Sequence, residues 1–361
     1  MGYAPKVKQY KYKNIAAALA ACLLVVLSIS TSCSSSAKNK KNTVTTTSSS
    51  VAEKKTDKNE SSSSQFVSEK LTKNYKYQSI KNSAELGNGT LVVVNNEHPF
   101  TGIVEDTDGV YSYLFDNKDN QIMYASNTSI TANKEAFIQF NKLACDFYNE
   151  TKLATIMIVG GLNTTDDISA DTETSSDGAA NTSTDSNKSD NATGLALDLQ
   201  LYNSTDNTYP DFKGDGKYSW IAENCWKYGY VLRYPADKAD VTGNSGEVNH
   251  FRYVGEPFAE IMNKNNLALE ELSDYVKKYT FENPLSFQSD NGKCYVLYYV
   301  AMSKETTTKI PVPLDDSNNE YSYTMSGNNI DGYIVCVDMT DGSAVNTTDS
   351  VATDDASVAG Q

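Results

Sequence analysis

Apolar side chains fall along this chain in blocks, separated by stretches that carry almost none. An unbroken apolar run spans Ile15 to Leu27, and residues 34–68 are then mostly Ser, Thr, Lys, Asn and Glu. A segment of that kind buries too little surface to fold and reads as a flexible tether. Order is expected from near Gly89. The β-branched run Leu91-Val92-Val93-Val94 predicts a strand, as do Val110–Phe115 and Gln121–Ala125. Over Lys134–Thr151, apolar residues at 137, 140, 143, 144 and 147 recur at the spacing of an amphipathic helix. Ala154–Val159 predicts a strand that Gly160-Gly161 stops. Residues 163–192 are acidic and polar, which predicts a surface insert. Strand character returns over 194–202. A helix is expected over Ser219–Tyr228, strands over Tyr230–Tyr234 and Phe251–Val254, and helices over Glu256–Asn263 and Ala268–Lys278. After Pro284 come short strands at Cys294–Ala301, Tyr321–Met325 and Ile334–Asp338, a small β unit over about 280–340. Residues 341–361 read as an acidic tail.

Composition narrows the functional classes. The 361 residues carry a net charge of −15, which excludes nucleic acid as a natural partner. The early lysines, Lys6, Lys8, Lys11 and Lys13, stand directly before the apolar run. A basic flank followed by a short apolar stretch marks an export signal; an uncleaved membrane anchor is the second reading. Ser30-Thr31-Ser32-Cys33 closes the run and is similar to a bacterial lipoprotein cleavage site, with Ser30 where an aliphatic residue usually stands. Cys33 is therefore a candidate for lipidation, and the membrane a partner through the N-terminal anchor. The expected location is extracytoplasmic, at the cell envelope. Beyond Cys33 lie Cys145, Cys225, Cys294 and Cys336, an even number that permits disulfides. Cys294 and Cys336 share one predicted unit and are the better candidate pair, against four buried free thiols.

Three stretches carry the chemistry. The first is Ser189-Asp190-Asn191-Ala192-Thr193-Gly194-Leu195-Ala196-Leu197-Asp198. The second runs from Trp220-Ile221-Ala222-Glu223-Asn224 to Tyr228-Gly229-Tyr230-Val231-Leu232-Arg233-Tyr234-Pro235. The third is Glu247-Val248-Asn249-His250-Phe251-Arg252-Tyr253-Val254-Gly255. In order and content they resemble the VanY-type D-alanyl-D-alanine carboxypeptidases. Those patterns are S-x-H-x-x-G-x-A-x-D, W…EN…YGF-LRYP and E-x-W-H-x-R-Y-V-G. The resemblance covers roughly residues 89–275. It implies an α+β fold, a VanY/Hedgehog-like DD-peptidase core carrying the small C-terminal β unit.

The resemblance also implies a zinc site. Such a zinc takes three protein ligands and keeps a position open for water, which it acidifies. Residue by residue, Asp198 stands at the aspartate ligand, His250 at the second histidine ligand and Glu247 at the general base. Ser189, Arg233 and Tyr234 stand at positions lining the substrate. The first histidine ligand falls on Asn191, whose neutral amide is a poor partner for zinc. Register cannot repair this, because the chain has two histidines, His98 and His250. A two-carboxylate, one-histidine set using Asp190 is an alternative, on a segment expected to be loop. Leu162 stands where the family has the arginine that meets the substrate carboxylate, and Asn249 where it has a tryptophan.

Three readings follow from that pattern. The first is a catalytically silent relative, with zinc weak or absent, that still engages the D-Ala-D-Ala end of peptidoglycan stem peptides. The second is an active zinc-dependent D-Ala-D-Ala carboxypeptidase with an unusual metal site. The third is a surface interaction protein that reuses the fold.

Overall fold

The computed structural model describes residues 71–162 and 186–340. The apolar leader, Cys33, the tether, most of the acidic insert and the tail lie outside the described residues. Among the described residues no helix is long and apolar enough to cross a membrane.

A five-stranded sheet frames the site. In space its strands run Tyr124–Ala125, Ile156–Gly160, Ala196–Leu201, Glu247–Tyr253 and Tyr230–Tyr234. The first two pair in parallel and the rest antiparallel. The Lys134–Thr151 helix covers the sheet. The Asn133 side chain caps it by accepting the Ala136 amide at 3.1 Å, and Lys152 ends it in a left-handed conformation. Its Phe137, Phe140 and Phe147 are fully buried in one cluster with Ile158, Leu197, Leu199 and Phe251. Each contributes about 1.5–3 kcal/mol through burial.

The C-terminal strands form a four-stranded antiparallel sheet, ordered Tyr323–Gly327, Gly332–Asp338, Cys294–Ala301 and Leu285–Gln288. Its two faces follow the two-residue alternation of a strand. Tyr295 and Leu297 pack with Phe258, Ile261 and Leu272 of the helices Glu256–Asn265 and Leu269–Val276. Val296 and Tyr298 pack on the other side with Ile310 and Val312. The β unit thus shares a core with the peptidase-like part, and the described residues fall in one compact unit.

Several expectations are corrected. The ordered chain begins before Gly89, because Tyr75–Lys81 pairs antiparallel with Thr307–Pro313 in a separate two-stranded ribbon. Leu91–Val94 is buried but joins no sheet. Its amides go to the C-terminal sheet region, Leu91 to Ser326 Oγ at 2.9 Å and Val93 to the Asn328 carbonyl at 3.2 Å. The Arg252 guanidinium donates to the carbonyls of Thr90 and Val92, both at 3.1 Å, leaving no ladder for another strand. Val110–Tyr113 is a 3-10 turn, not a strand. Just beyond it, Asn141 of the long helix takes the carbonyls of Tyr113 and Phe115 at 2.7 and 2.9 Å. The expected Cys294–Cys336 pair does not form. Leu297, not Cys294, stands opposite Cys336, and all four described cysteines are free.

Candidate functional site

Three strands bring the site together in one cross-strand row. Gly160 stands opposite Asp198, and Asp198 stands opposite His250. Directly opposed residues project from the same face, so the two side chains meet. His250 Nδ1 lies 2.5 Å from Asp198 Oδ1. Gly160 makes room for this pair, since a Cβ there would collide with the Asp198 carboxylate. Asn191 arrives from a 3-10 turn, Asp190–Thr193, capped where its own backbone amide donates to the Ser189 hydroxyl. That turn places the Asn191 amide nitrogen 2.7 Å from the second carboxylate oxygen, Asp198 Oδ2. The structure therefore brings Asn191, Asp198 and His250 together.

The other expected residues stand around them in different roles. The Tyr234 ring stacks on the His250 imidazole at 5.2 Å. Arg233 is 1% exposed and spans Glu270 with two hydrogen bonds of 2.9 and 2.6 Å, so its guanidinium serves the scaffold and is not open to a substrate. Ser189 is occupied as the turn cap. The Glu247 carboxylate accepts the Asn244 amide at 2.6 Å and makes no ion pair or hydrogen bond with Asn191, Asp198 or His250. Asn249 donates to the Leu199 carbonyl at 3.2 Å, tying two strands of the sheet. Leu162 bridges Thr131 at the end of its strand. Asp190 is buried in the fold, and the alternative donor set that uses it fails on geometry. Its Oδ2 faces His250 Nε2 at 3.6 Å, the opposite edge of the ring from Asp198. One metal cannot reach both carboxylates and the ring.

Charge holds this arrangement. Asp190 is 1% exposed and paired to Arg252, which is itself fully buried, and its Oδ1 lies 3.5 Å from Arg233. Burial alone would raise the Asp190 carboxyl; the two guanidiniums hold it well below the usual carboxylate range. Burial likewise opposes an ionised Asp198, and the His250 hydrogen bond outweighs it, so that carboxyl is also lowered. Burial disfavours a charged imidazole, but the flanking carboxylates of Asp190 and Asp198 lift His250 from 6.5 to about 9. At neutral pH the site thus holds an imidazolium between two carboxylates. Because the folded value exceeds the unfolded one, the stabilisation is complete below about pH 6.5 and lost as pH rises toward 9. Urea unfolding across that window is expected to show a loss on the order of 2–3 kcal/mol that His250→Gln abolishes. A flat profile in the wild-type chain would mean that His250 is neutral.

The donor set does not fit zinc. Asp198 spends one oxygen on His250 and the other on the Asn191 amide. Turning that amide over would set its oxygen against the carboxylate, acceptor against acceptor. Asn191 Oδ1 is buried with no partner, and among the described residues no group of three His, Cys, Asp or Glu is placed to hold a metal. Asp190 and Arg252 are the residues that motif reading undervalued. Both lie inside quoted motifs, yet nothing local marks them as a buried pair.

A five-stranded sheet under one long helix thus presents Asp198 and His250 from neighbouring strands, and a 3-10 turn brings Asn191 to the same point. Residues 131–256 match the family model described as VanY, D-alanyl-D-alanine carboxypeptidase. A D-alanyl-D-alanine carboxypeptidase of Enterococcus faecium is 42% identical over 149 residues, 41% of this chain and 44% of that protein. The bifunctional D-Ala-D-Ala dipeptidase and D-Ala-D-Ala carboxypeptidase VanXYC of Enterococcus gallinarum is 37% identical over 90 residues, 24% of this chain and 47% of that protein. The chain thus spans less than half the length of these curated relatives. Among solved structures, the vancomycin resistance D,D-dipeptidase VanXYg, in complex with a D-Ala-D-Ala phosphinate analogue, aligns with a TM-score of 0.56 at 25% identity. That alignment covers 73% of this chain and 99% of the other.

Proposed function

We propose that this chain is a membrane-tethered protein of the cell envelope whose VanY-type domain addresses D-Ala-D-Ala-ended peptidoglycan stem peptides without hydrolysing them efficiently. One observation carries the silent reading: the Asn191 amide donates to the Asp198 carboxylate at 2.7 Å, at the position where a histidine ligand would stand. A metallopeptidase needs Asp198 and His250 free to coordinate, and here each satisfies the other. Leu162 adds no charge for a peptide carboxylate. The envelope location draws support from the basic flank and apolar run of the leader.

The test is metal content together with turnover. Purified chain is expected to carry well under one zinc per molecule after dialysis, and to release no D-Ala from a D-Ala-D-Ala-ended peptide above background. Chelator-sensitive release at about 1 per second or faster, an ordinary enzyme rate, would overturn silence. Binding of the same peptide, read by calorimetry, tests recognition separately from hydrolysis. Cell fractionation tests the location, and recovery in the cytoplasmic fraction would refute it.

A further inference from the structure

The sheet face that carries Asp198 and His250 continues past them to a group of tyrosines. Side chains two positions apart along a strand share a face, so Gln200 projects on the Asp198 side. Gln200 stands opposite Met157, and Met157 opposite Tyr124. The Tyr124 ring meets the Tyr202 ring edge-on at 4.7 Å, and Tyr202 meets Tyr209 at 5.2 Å. The apolar cluster under the long helix instead takes Ile156, Ile158, Leu197 and Leu199, the alternate positions of the same strands. The three rings therefore lie on the side of the site.

The rings are fixed in place and remain open to solvent. Tyr209 is 54% exposed, and Tyr124 and Tyr202 are half-buried. The Tyr202 and Tyr209 hydroxyls both donate to Asn207 Oδ1, at 3.2 and 3.5 Å, and Gln200 Nε2 donates to the Tyr209 carbonyl at 3.3 Å. All of these groups are neutral. Fixed aromatic rings edged by amides suit a neutral ligand with an apolar face and a hydrogen-bonding rim, which is the chemistry of a sugar ring.

Position along the strand decides which part of a stem peptide reaches the rings. Leu162, at the position of the arginine for the substrate carboxylate, has its Cβ 3.9 Å from the point a Gly194 Cβ would occupy, four positions before Asp198. Tyr202 stands four positions after Asp198, about 13 Å along the strand. A D-Ala-D-Ala-ended peptide with its carboxylate toward Leu162 and its last amide at Asp198 and His250 extends its amino end toward the rings. About four stem residues precede that amide, and they span about 13–14 Å when extended. The group that arrives at Tyr202 and Tyr209 is then the one to which the stem is joined, an N-acetylated sugar of the glycan strand. We propose that Tyr202 and Tyr209, backed by Tyr124, form a subsite that stacks this sugar. The subsite rests on the proposed recognition of the D-Ala-D-Ala end and adds the sugar to it.

Calorimetric titration of the full chain tests it with three probes. They are a free pentapeptide ending in D-Ala-D-Ala, the same peptide carrying N-acetylmuramic acid at its amino end, and the peptide-free disaccharide of N-acetylglucosamine and N-acetylmuramic acid. The sugar-bearing peptide is expected to bind about tenfold more tightly than the free one. Tyr209→Ala is expected to bring that ratio to within about twofold of unity, and Tyr209→Phe, which keeps the ring, to preserve it. Tyr209 lies at the surface, so the ratio reports the sugar contact and not folding. Equal affinity of the two peptides for the wild-type chain, a ratio undiminished in Tyr209→Ala, or binding of neither sugar-bearing probe would each overturn the subsite. A free peptide that does not bind, beside a disaccharide that binds and is lost in Tyr209→Ala, would instead refute recognition of the D-Ala-D-Ala end and leave the sugar contact standing.

Discussion

Zinc affinity of the Asn191→His variant is expected to exceed that of the wild-type chain by about a hundredfold. Structural zinc sites are worth on the order of 10 kcal/mol, so one of three protein ligands carries roughly 3 kcal/mol. Asp198 and His250 already face each other across adjacent strands, and the 3-10 turn delivers position 191 to the same point. The substitution removes the amide donor that holds Asp198 Oδ2 and supplies an imidazole in its place. Competition with a chromogenic chelator measures the change. Turnover is expected to remain low, because Leu162 leaves the substrate carboxylate without a cation; Asn191→His with Leu162→Arg is the variant in which chelator-sensitive D-Ala release should appear. An Asn191→His protein that binds zinc no better than wild type would show that the turn does not present position 191 to a metal.

Arg252→Met is expected to destabilise the chain by about 3–5 kcal/mol, the usual cost of leaving one partner of a buried ion pair alone. Arg252 is fully buried. It neutralises Asp190 and donates to the carbonyls of Thr90 and Val92. Methionine fills much of the volume, so the loss reports charge and hydrogen bonding more than a cavity. Urea denaturation gives the value. Arg252→Met with Asp190→Asn should recover a substantial part, because the stranded carboxylate is then gone. A single-variant loss under about 1 kcal/mol would show that Asp190 is not held as a buried anion.

Much of the fold is written in local periodicity. The helix over Lys134–Thr151 and the strands Tyr230–Tyr234 and Cys294–Ala301 coincide with the elements expected from spacing alone. In each, neighbouring residues already show which face is apolar, and burial follows that face. The three motifs likewise carry enough information to group Asn191, Asp198 and His250, and strand pairing of the last two with the 3-10 turn that carries Asn191 makes them neighbours. Leu91–Val94 shows the limit of this reading. Its β-branched run has strand propensity, yet its backbone partners are the Arg252 guanidinium and Ser326, Asn328 and Asn329, all more than 230 positions away from it.

By itself the sequence determined the element types of the core and the resemblance in its three motifs, with Asn191 and Leu162 standing where the resembled patterns carry a histidine and an arginine. Those are properties of residue identity at short spacing. Only the tertiary structure decided what the remaining charges do. Asp190 turns to the far edge of His250, Arg233 is consumed by Glu270, and the Asn191 amide closes on Asp198. Tertiary packing also decided that the C-terminal sheet shares its core with the peptidase-like part and that a cleft opens between them. The reason is electrostatic and steric. A buried charge must find its counter-charge wherever the chain brings one, and that partner is set by packing across the whole unit, not by sequence neighbours.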